Sequence, residues 1–240
     1  MKQFEFEGKQ YKIPERWGEV QWGSYIQLVE FSDWLVKNPN NLMDYEMEQW
    51  YFNILILHGD GDDFTYREFS DWDKVPTTFF DMERGEFTQH YLTLSKILKQ
   101  KPIDHNPPSG KIFTIGGVEW GFNLESNKWR TVDIHTVERF QKEYEGYELT
   151  ENIVSVFFRP VIREVDDKTG EEIIKYDKFQ PSRFDWIKSQ MRKLSCEIPL
   201  SVAFFFISSS LGSGKDTKNS INQELKSMNG ASQSQMVTQQ

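Results

Sequence analysis

Apolar and polar residues alternate in two short stretches of the chain, and each stretch is centred on a glycine. Phe4, Phe6, Tyr11 and Ile13 alternate around Glu7-Gly8, and a similar pattern surrounds Gly116-Gly117 at 113–120. Alternation on both sides of such a turn is typical of an antiparallel β-hairpin. The apolar residues after each hairpin also have matching spacings when they are counted from Trp17 and from Trp129. The second copy has three extra residues between its hairpin and its tryptophan. The pattern predicts a hairpin–helix unit that occurs twice.

Spacings of three and four between apolar residues predict helices in the rest of the chain. The predicted helices begin at an N-cap Ser24, run from Met43 to an end at Gly59, run from Phe87 to Leu98, begin near Asp133, run from Phe184 to Leu194, and begin at Pro199. The apolar run 153–158 fits a helix or a strand equally well. Residues 161–176 predict a third hairpin, which turns at 166–170.

The predicted fold class is α+β: amphipathic helices with short antiparallel β-hairpins, an internally repeated hairpin–helix unit and a flexible polar C-terminal tail. Residues 103–110 contain Asn106-Pro107-Pro108-Ser109-Gly110, which is typical of a linker. We place the boundary between the two copies of the unit there. We therefore expect an N-terminal hairpin and helical region at 1–102 and a second hairpin–helix unit at 111–211. Residues 212–240 are almost free of apolar side chains and predict a disordered tail.

Composition narrows the classes of partner. The net charge is −9, which argues against nucleic acid and against an anionic membrane surface, because both need clustered Lys and Arg. Aromatic residues make up 15% of a polar chain whose mean hydropathy is −0.64, so we expect a core of large flat side chains. The single cysteine, Cys196, permits no intrachain disulfide and is interpreted as a buried apolar residue of a cytoplasmic protein.

The chain contains no strong catalytic signature. His58, Asp60, Asp62 and Asp63 could bind a divalent ion, although the order of residues does not fit a calcium loop and a plain acidic turn is favoured. The glycines at 212–214 precede Lys215, but Ser209 and Asp216 stand where a phosphate-binding loop needs glycine and a hydroxyl. We therefore expect no cofactor, no bound metal and no enzymatic activity.

Five residues are candidates for binding another protein. They are Trp17, Trp22, Trp120, Trp129 and Arg159, because aromatic residues and arginine are enriched at protein–protein hot spots. Arg159 follows the apolar run 153–158, so the favoured alternative is a buried ion pair that fixes the third hairpin.

Three segments resemble a loosely defined group of tailed-bacteriophage morphogenesis proteins, the tail-assembly-chaperone-like and minor virion proteins. The segments are Phe4-Glu5-Phe6-Glu7-Gly8-Lys9-Gln10-Tyr11-Lys12-Ile13-Pro14 with Trp17, then Phe157-Phe158-Arg159-Pro160-Val161, and finally Ile198-Pro199-Leu200-Ser201-Val202-Ala203-Phe204-Phe205-Phe206. The resemblance implies a phage-encoded assembly or virion role and supplies no catalytic residues.

The leading hypothesis is a non-enzymatic protein–protein interaction module in bacteriophage tail or virion assembly, located in the host cytoplasm or in the virion. Its expected partners are other phage structural or tail proteins, with a homo-oligomer left open and with no nucleic acid or membrane. One alternative is a small metal-dependent hydrolase that uses His58, Asp60, Asp62 and Asp63. Another is a phage protein that binds a host factor.

Overall fold

The computed structural model describes residues 1–60, 63–100 and 108–208, and for Asp60, Ile207 and Ser208 it describes the backbone alone. These residues form seven α-helices and two antiparallel sheets of four strands each, which confirms the predicted α+β class. The predicted tail at 212–240 and most of the predicted linker lie outside the described residues. The described chain divides into two compact units: 1–60, 63–100 and 192–197 form the first, and 108–191 with 198–208 form the second.

The first unit contains a meandering sheet with strand order β1-β2-β3-β4. Its elements in chain order are β1 (Lys2–Phe6), β2 (Lys9–Ile13), a 3-10 turn (Trp17–Glu19), α1 (Trp22–Lys37), α2 (Asp44–Leu55), β3 (Leu57–Asp60), β4 (Asp63–Thr65) and α3 (Arg84–Leu98).

The second unit repeats this order of elements, and its sheet has the order β5-β6-β7-β8. The elements are β5 (Ile112–Ile115), β6 (Val118–Phe122), a 3-10 turn (Ser126–Lys128), α4 (Thr131–Glu143), α5 (Gly146–Phe157), β7 (Phe158–Val165), β8 (Glu172–Tyr176), a 3-10 turn (Pro181–Arg183) and α6 (Phe184–Met191). Helix α7 runs from Glu197 to Ser208; its first residue is assigned to the first unit and the others to the second.

The two first hairpins share one turn geometry and one register. Glu7 and Gly8 have φ of 49° and 72°, and Gly116 and Gly117 have φ of 56° and 75°. Positive φ at both central residues defines the turn whose twist suits a two-residue hairpin, and glycine adopts it at little cost. Phe4 pairs with Tyr11, and Phe113 pairs with Trp120. The predicted hairpins are confirmed.

The repeat extends further than the sequence pattern indicated, and its alignment after the hairpin differs. Every element from β2 to the start of α1 recurs 109 positions later, so Trp22 corresponds to Thr131 and no three-residue insertion is present. Burial supports this alignment: Ser24, Gln27 and Phe31 are buried, as are their counterparts Asp133, Thr136 and Phe140. The expected equivalence of Trp17 and Trp129 is wrong, because Trp17 begins its 3-10 turn whereas Trp129 follows the corresponding turn at Ser126–Lys128.

The distance in sequence between equivalent residues of the two units changes after the first helix, because the next connection is shorter in the second unit. Six residues separate α1 from α2, whereas two separate α4 from α5, so α2 recurs in α5 with an offset of 102. The sheets agree, because Lys12 pairs with Leu57 and the corresponding Gly121 pairs with Arg159. Leu57 and Arg159 therefore occupy equivalent positions.

Several predicted boundaries need correction. Helix α1 begins at Trp22, and Ser24 lies inside it, because the N–H groups of Trp22 and Gly23 donate to the carbonyls of Leu194 and Arg192 at 2.7 and 2.9 Å. Tertiary carbonyls thus replace the side-chain cap that Ser24 was expected to supply.

Helix α2 ends at Leu55 and not at the predicted Gly59. Of the acidic turn predicted at 58–63, residues 58–60 belong to strand β3 and Asp63 begins strand β4. Tyr11 pairs with His58 there, across a large separation in sequence that no local pattern reports. Residues 153–158 adopt both states, since α5 runs to Phe157 and β7 begins at Phe158. Leu194 lies beyond the end of α6, and Pro199 lies in the first turn of α7, where its missing N–H costs nothing.

Candidate interaction surface

The face of the second sheet that carries the core continues as an uncovered apolar strip towards the tip of the β7–β8 hairpin. Side chains on a strand alternate between faces, so Val118 shares the face of the buried Trp120, and Ile162 shares that of Pro160, which pairs with Trp120. Ile173 joins them from β8 opposite Glu164. Val118, Ile162 and Ile173 are 37%, 41% and 37% exposed, whereas Trp120 is fully buried. We call Val118, Ile162 and Ile173 the apolar strip.

The internal repeat explains why the strip is uncovered. In the first unit, 18 residues separate β4 from α3, and this connection places Phe79 over the sheet, 5.6 Å from Phe6 and 5.1 Å from Tyr11 between ring centres. In the second unit only 7 residues separate β8 from α6. Trp186 of α6 reaches Trp120 at 4.8 Å, but the strip lies beyond it. The first unit also carries Lys9 and Asp60 at the positions of Val118 and Ile162.

Both faces of the hairpin carry ion pairs: Lys175 pairs with Glu164 on the face of the apolar strip, and Arg163 binds two carboxylates on the opposite face. The guanidinium of Arg163 donates to Glu119 at 2.6 and 2.9 Å and to Glu172 at 2.7 Å, and so ties β6, β7 and β8 together. These two carboxylates raise the pKa of Arg163 further. These ion pairs are exposed to solvent, so they fix the geometry of the three strands but add little to the free energy of unfolding.

The turn of the hairpin is also well defined. The side chain of Asp166 accepts hydrogen bonds from the N–H groups of Lys168 and Thr169 at 2.7 and 3.2 Å, and Gly170 has φ of 70°. An Asp side chain that bonds its own turn in this way stabilises it locally. The hairpin predicted at 161–176 is confirmed, and its outer half is exposed on both faces. The hairpin therefore combines a hydrogen-bonded turn with exposed apolar side chains.

The four tryptophans proposed from the sequence pack inside their units. Trp17, Trp22 and Trp120 are 5%, 1% and 0% exposed, while Trp129 is half-buried. The Trp17 indole N–H donates to the carbonyl of Gln100, and the Trp129 indole N–H donates to that of Asn123. In this conformation the four rings contribute to the cores of their units, and their role in binding a partner stays a prediction.

Arg159 forms the buried ion pair that was the favoured interpretation. Its Nη2 lies 3.4 Å from Oδ1 of Asp133, and their side chains are 3% and 5% exposed. The guanidinium also lies over the ring of Phe179, at 4.6 Å. Burial lowers the pKa of Arg159 to about 10, against the opposing effect of Asp133. The contact joins strand β7 to helix α4 inside the second unit.

The proposed metal ligands are only partly described. His58 packs edge-on against Tyr11 at 5.2 Å, and burial, followed by the nearby cations Arg67 and Lys9, lowers its pKa to about 4. Asp63 is exposed, and among the described residues no group of three His, Cys, Asp or Glu side chains could hold a metal ion. Asp62 and the Asp60 side chain lie outside the described part, so the metal-dependent hydrolase stays a prediction. Metal analysis of the purified protein tests it.

A cleft of about 390 Å³ opens between α4, α5 and α6 and contains both charge signs. The ammonium group of Lys188 contacts Glu151 at 3.0 Å and Asn152 at 3.0 Å, while Arg139 lies 3.8 Å from Glu143. The cations of the cleft are thus already paired within the unit, and we assign no ligand to it.

Comparison with known proteins returned no match, whether with family models, curated proteins or solved structures. No helix in the described part of the chain has the length and apolar character needed to cross a membrane.

The sequence predicts the third hairpin but not its exposed apolar face. A usable signal was present, because Ile173 and Ile174 are consecutive in a predicted strand and must point to opposite faces. A strand with apolar residues on both faces is either buried on both sides or offers one side to a partner.

Proposed function

We propose that this protein is a non-enzymatic protein–protein interaction module and that the β7–β8 hairpin is its binding element. The observation that carries the proposal is the exposed apolar strip, Val118, Ile162 and Ile173, on a hairpin ordered by ion pairs and by its turn. Apolar side chains grouped on a rigid projection and rimmed by charges are typical of binding sites.

We further propose that the module acts in bacteriophage tail or virion assembly, as an assembly chaperone or a minor structural protein. The resemblance of segments 4–17, 157–161 and 198–206 to phage morphogenesis proteins supports this step. Its partners are then other phage structural or tail proteins, met in the host cytoplasm or in the particle.

A capture experiment tests both parts of the proposal. The full chain, immobilised, is exposed to recombinant tail and capsid proteins of the phage that encodes it, and purified virions are quantified for the chain by mass spectrometry. We expect the wild-type chain to retain a virion protein and Ile162→Ser to lose most of that retention.

Val132→Ser is the matched control, because Val132 is 40% exposed and lies on α4 of the same unit, away from the sheet. It should retain the partner as the wild type does. Capture of no virion component would refute the phage role, and equal losses in both variants would refute the hairpin as the binding element.

A further inference from the structure

Strand β8 ends the second sheet with an open edge. It pairs with β7 on one side, and in the described part of the chain no strand pairs with its other side. The N–H of Asp166 donates to the carbonyl of Glu171, and the N–H of Asp177 donates to that of Pro160. Hydrogen-bonded pairs alternate along an antiparallel ladder, so the backbone groups of residues 172, 174 and 176 point to the open edge. They are available to another strand.

Among the sheet edges that the structure describes, β8 is the most exposed. Residues 172–175 are all exposed, and Ile173 and Ile174 are 37% and 39% exposed. The other outermost strands, β1, β4 and β5, expose no large apolar side chain to that degree. An exposed edge of this kind is a template for a further strand, and proteins usually protect it with charges or proline.

We propose that a second copy of this chain pairs its β8 antiparallel with β8, with Ile173 opposite Ile173 of the second copy. In this register, Glu171 of each chain lies opposite Lys175 of the other, on the face that carries both isoleucines. Lys175 also pairs with Glu164 of its own hairpin, so it is shared between two carboxylates. Glu172 lies opposite Ile174 of the second copy, and both direct their backbone groups to the shared edge. The two four-stranded sheets become one sheet of eight strands around a twofold axis.

Charge selects this register over its neighbours. A twofold axis normal to the sheet keeps each face on the same side, so the pairing can be centred only on a residue. Centring on Glu172 or on Lys175 places like charges opposite each other, and centring on Ile174 places Glu171 opposite Asp177. The Ile173-centred pairing joins opposite charges twice. The edge is complementary to itself, which favours a second copy over an unrelated strand.

The inference rests on the proposed interaction role of the hairpin and adds a second copy of this chain to its partners. Sedimentation velocity of the full chain over a wide concentration range should show a monomer–dimer equilibrium. Glu171→Lys places like charges opposite each other twice and leaves the Lys175–Glu164 ion pair within each hairpin, so it should weaken the dimer about tenfold. The triple variant Glu164→Lys/Glu171→Lys/Lys175→Glu restores opposite charges both within the hairpin and between the copies, and should restore the dimer.

Ile174→Pro is a second, independent block. The N–H of residue 174 points to the open edge, so its loss leaves the β7–β8 ladder intact while it prevents strand addition. Matching circular dichroism and unfolding midpoints should confirm that each variant is folded. A monomer at every concentration, or a dimer that these variants leave unchanged, would overturn the inference. A monomer that still captures a virion protein through Ile162 would leave the proposed function standing.

Discussion

The buried ion pair of Arg159 and Asp133 gives the sharpest prediction, which is the effect of Arg159→Leu on stability. The substitution removes the 3.4 Å contact with Asp133, the contact with Phe179, and hydrogen bonds to the carbonyls of Ser155 and Phe158 at 3.5 and 3.4 Å. It leaves the Asp133 carboxylate buried beside Arg130 alone.

Breaking a buried pair from one side costs about 3–5 kcal/mol, because a charge stays buried without its partner. Arg130 still reaches Asp133, at 3.4 Å, and its backbone N–H donates to the same carboxylate at 3.0 Å. We therefore expect the lower end, a loss of about 3 kcal/mol in the free energy of unfolding. Urea unfolding followed by tryptophan fluorescence measures it, since Trp120 and Trp129 lie in the same unit.

Arg163→Leu is the matched control, because it is the same change in the same strand. The side chain of Arg163 is 42% exposed and its ion pairs are on the surface, so we expect a much smaller loss than for Arg159→Leu. Equal losses in the two variants would refute the assignment of the Arg159 effect to burial.

The repeat supplies a further test of the same reasoning. Leu57 and Ser24 stand in the first unit where Arg159 and Asp133 stand in the second. Asp133→Ser/Arg159→Leu therefore transplants a neutral pair that the fold already accommodates. We expect it to recover most of the stability that Arg159→Leu loses, since replacing both partners removes the uncompensated charge.

Three more outcomes are expected. The pKa of His58 is lowered by burial from its ordinary 6.5 to about 4, so the unfolded chain binds the proton first. Its contribution is therefore fully present above pH 6.5 and is lost as pH falls towards 4. His58→Phe should flatten this part of the stability–pH curve by about 2 kcal/mol relative to the wild type, and an unchanged curve in the variant would contradict this effect of burial. Gly117 has φ of 75°, so Gly117→Ala should lower the free energy of unfolding by about 1 kcal/mol in a thermal melt. Gly85 lies inside α3, so Gly85→Ala should raise it by up to about 1 kcal/mol. Similar shifts in both variants would contradict the argument from the turn. Cys196 is fully buried and burial raises its pKa, so a thiol reagent should label it only in denaturant; rapid labelling of the native chain would contradict its packing.

Local patterns determined the class of most elements in this protein. The alternation around Gly8 and Gly117 specified both the hairpins and their register, because a two-residue turn with positive φ allows one pairing of the flanking strands. Spacings of three and four placed α3 and α4 within a few residues. These features depend on near neighbours in the chain, so a sequence reports them directly.

Tertiary structure decided which faces are covered. Strand β3 was hidden because His58 becomes part of a strand only by pairing with Tyr11, far away in the sequence. Trp22 is buried and Ile162 is exposed, although both are apolar members of regular patterns. Periodicity states which side chains share a face, whereas burial depends on what packs against that face. In the second unit the connection after β8 is too short to cover the apolar strip of the hairpin. Only the folded structure shows that this strip is exposed.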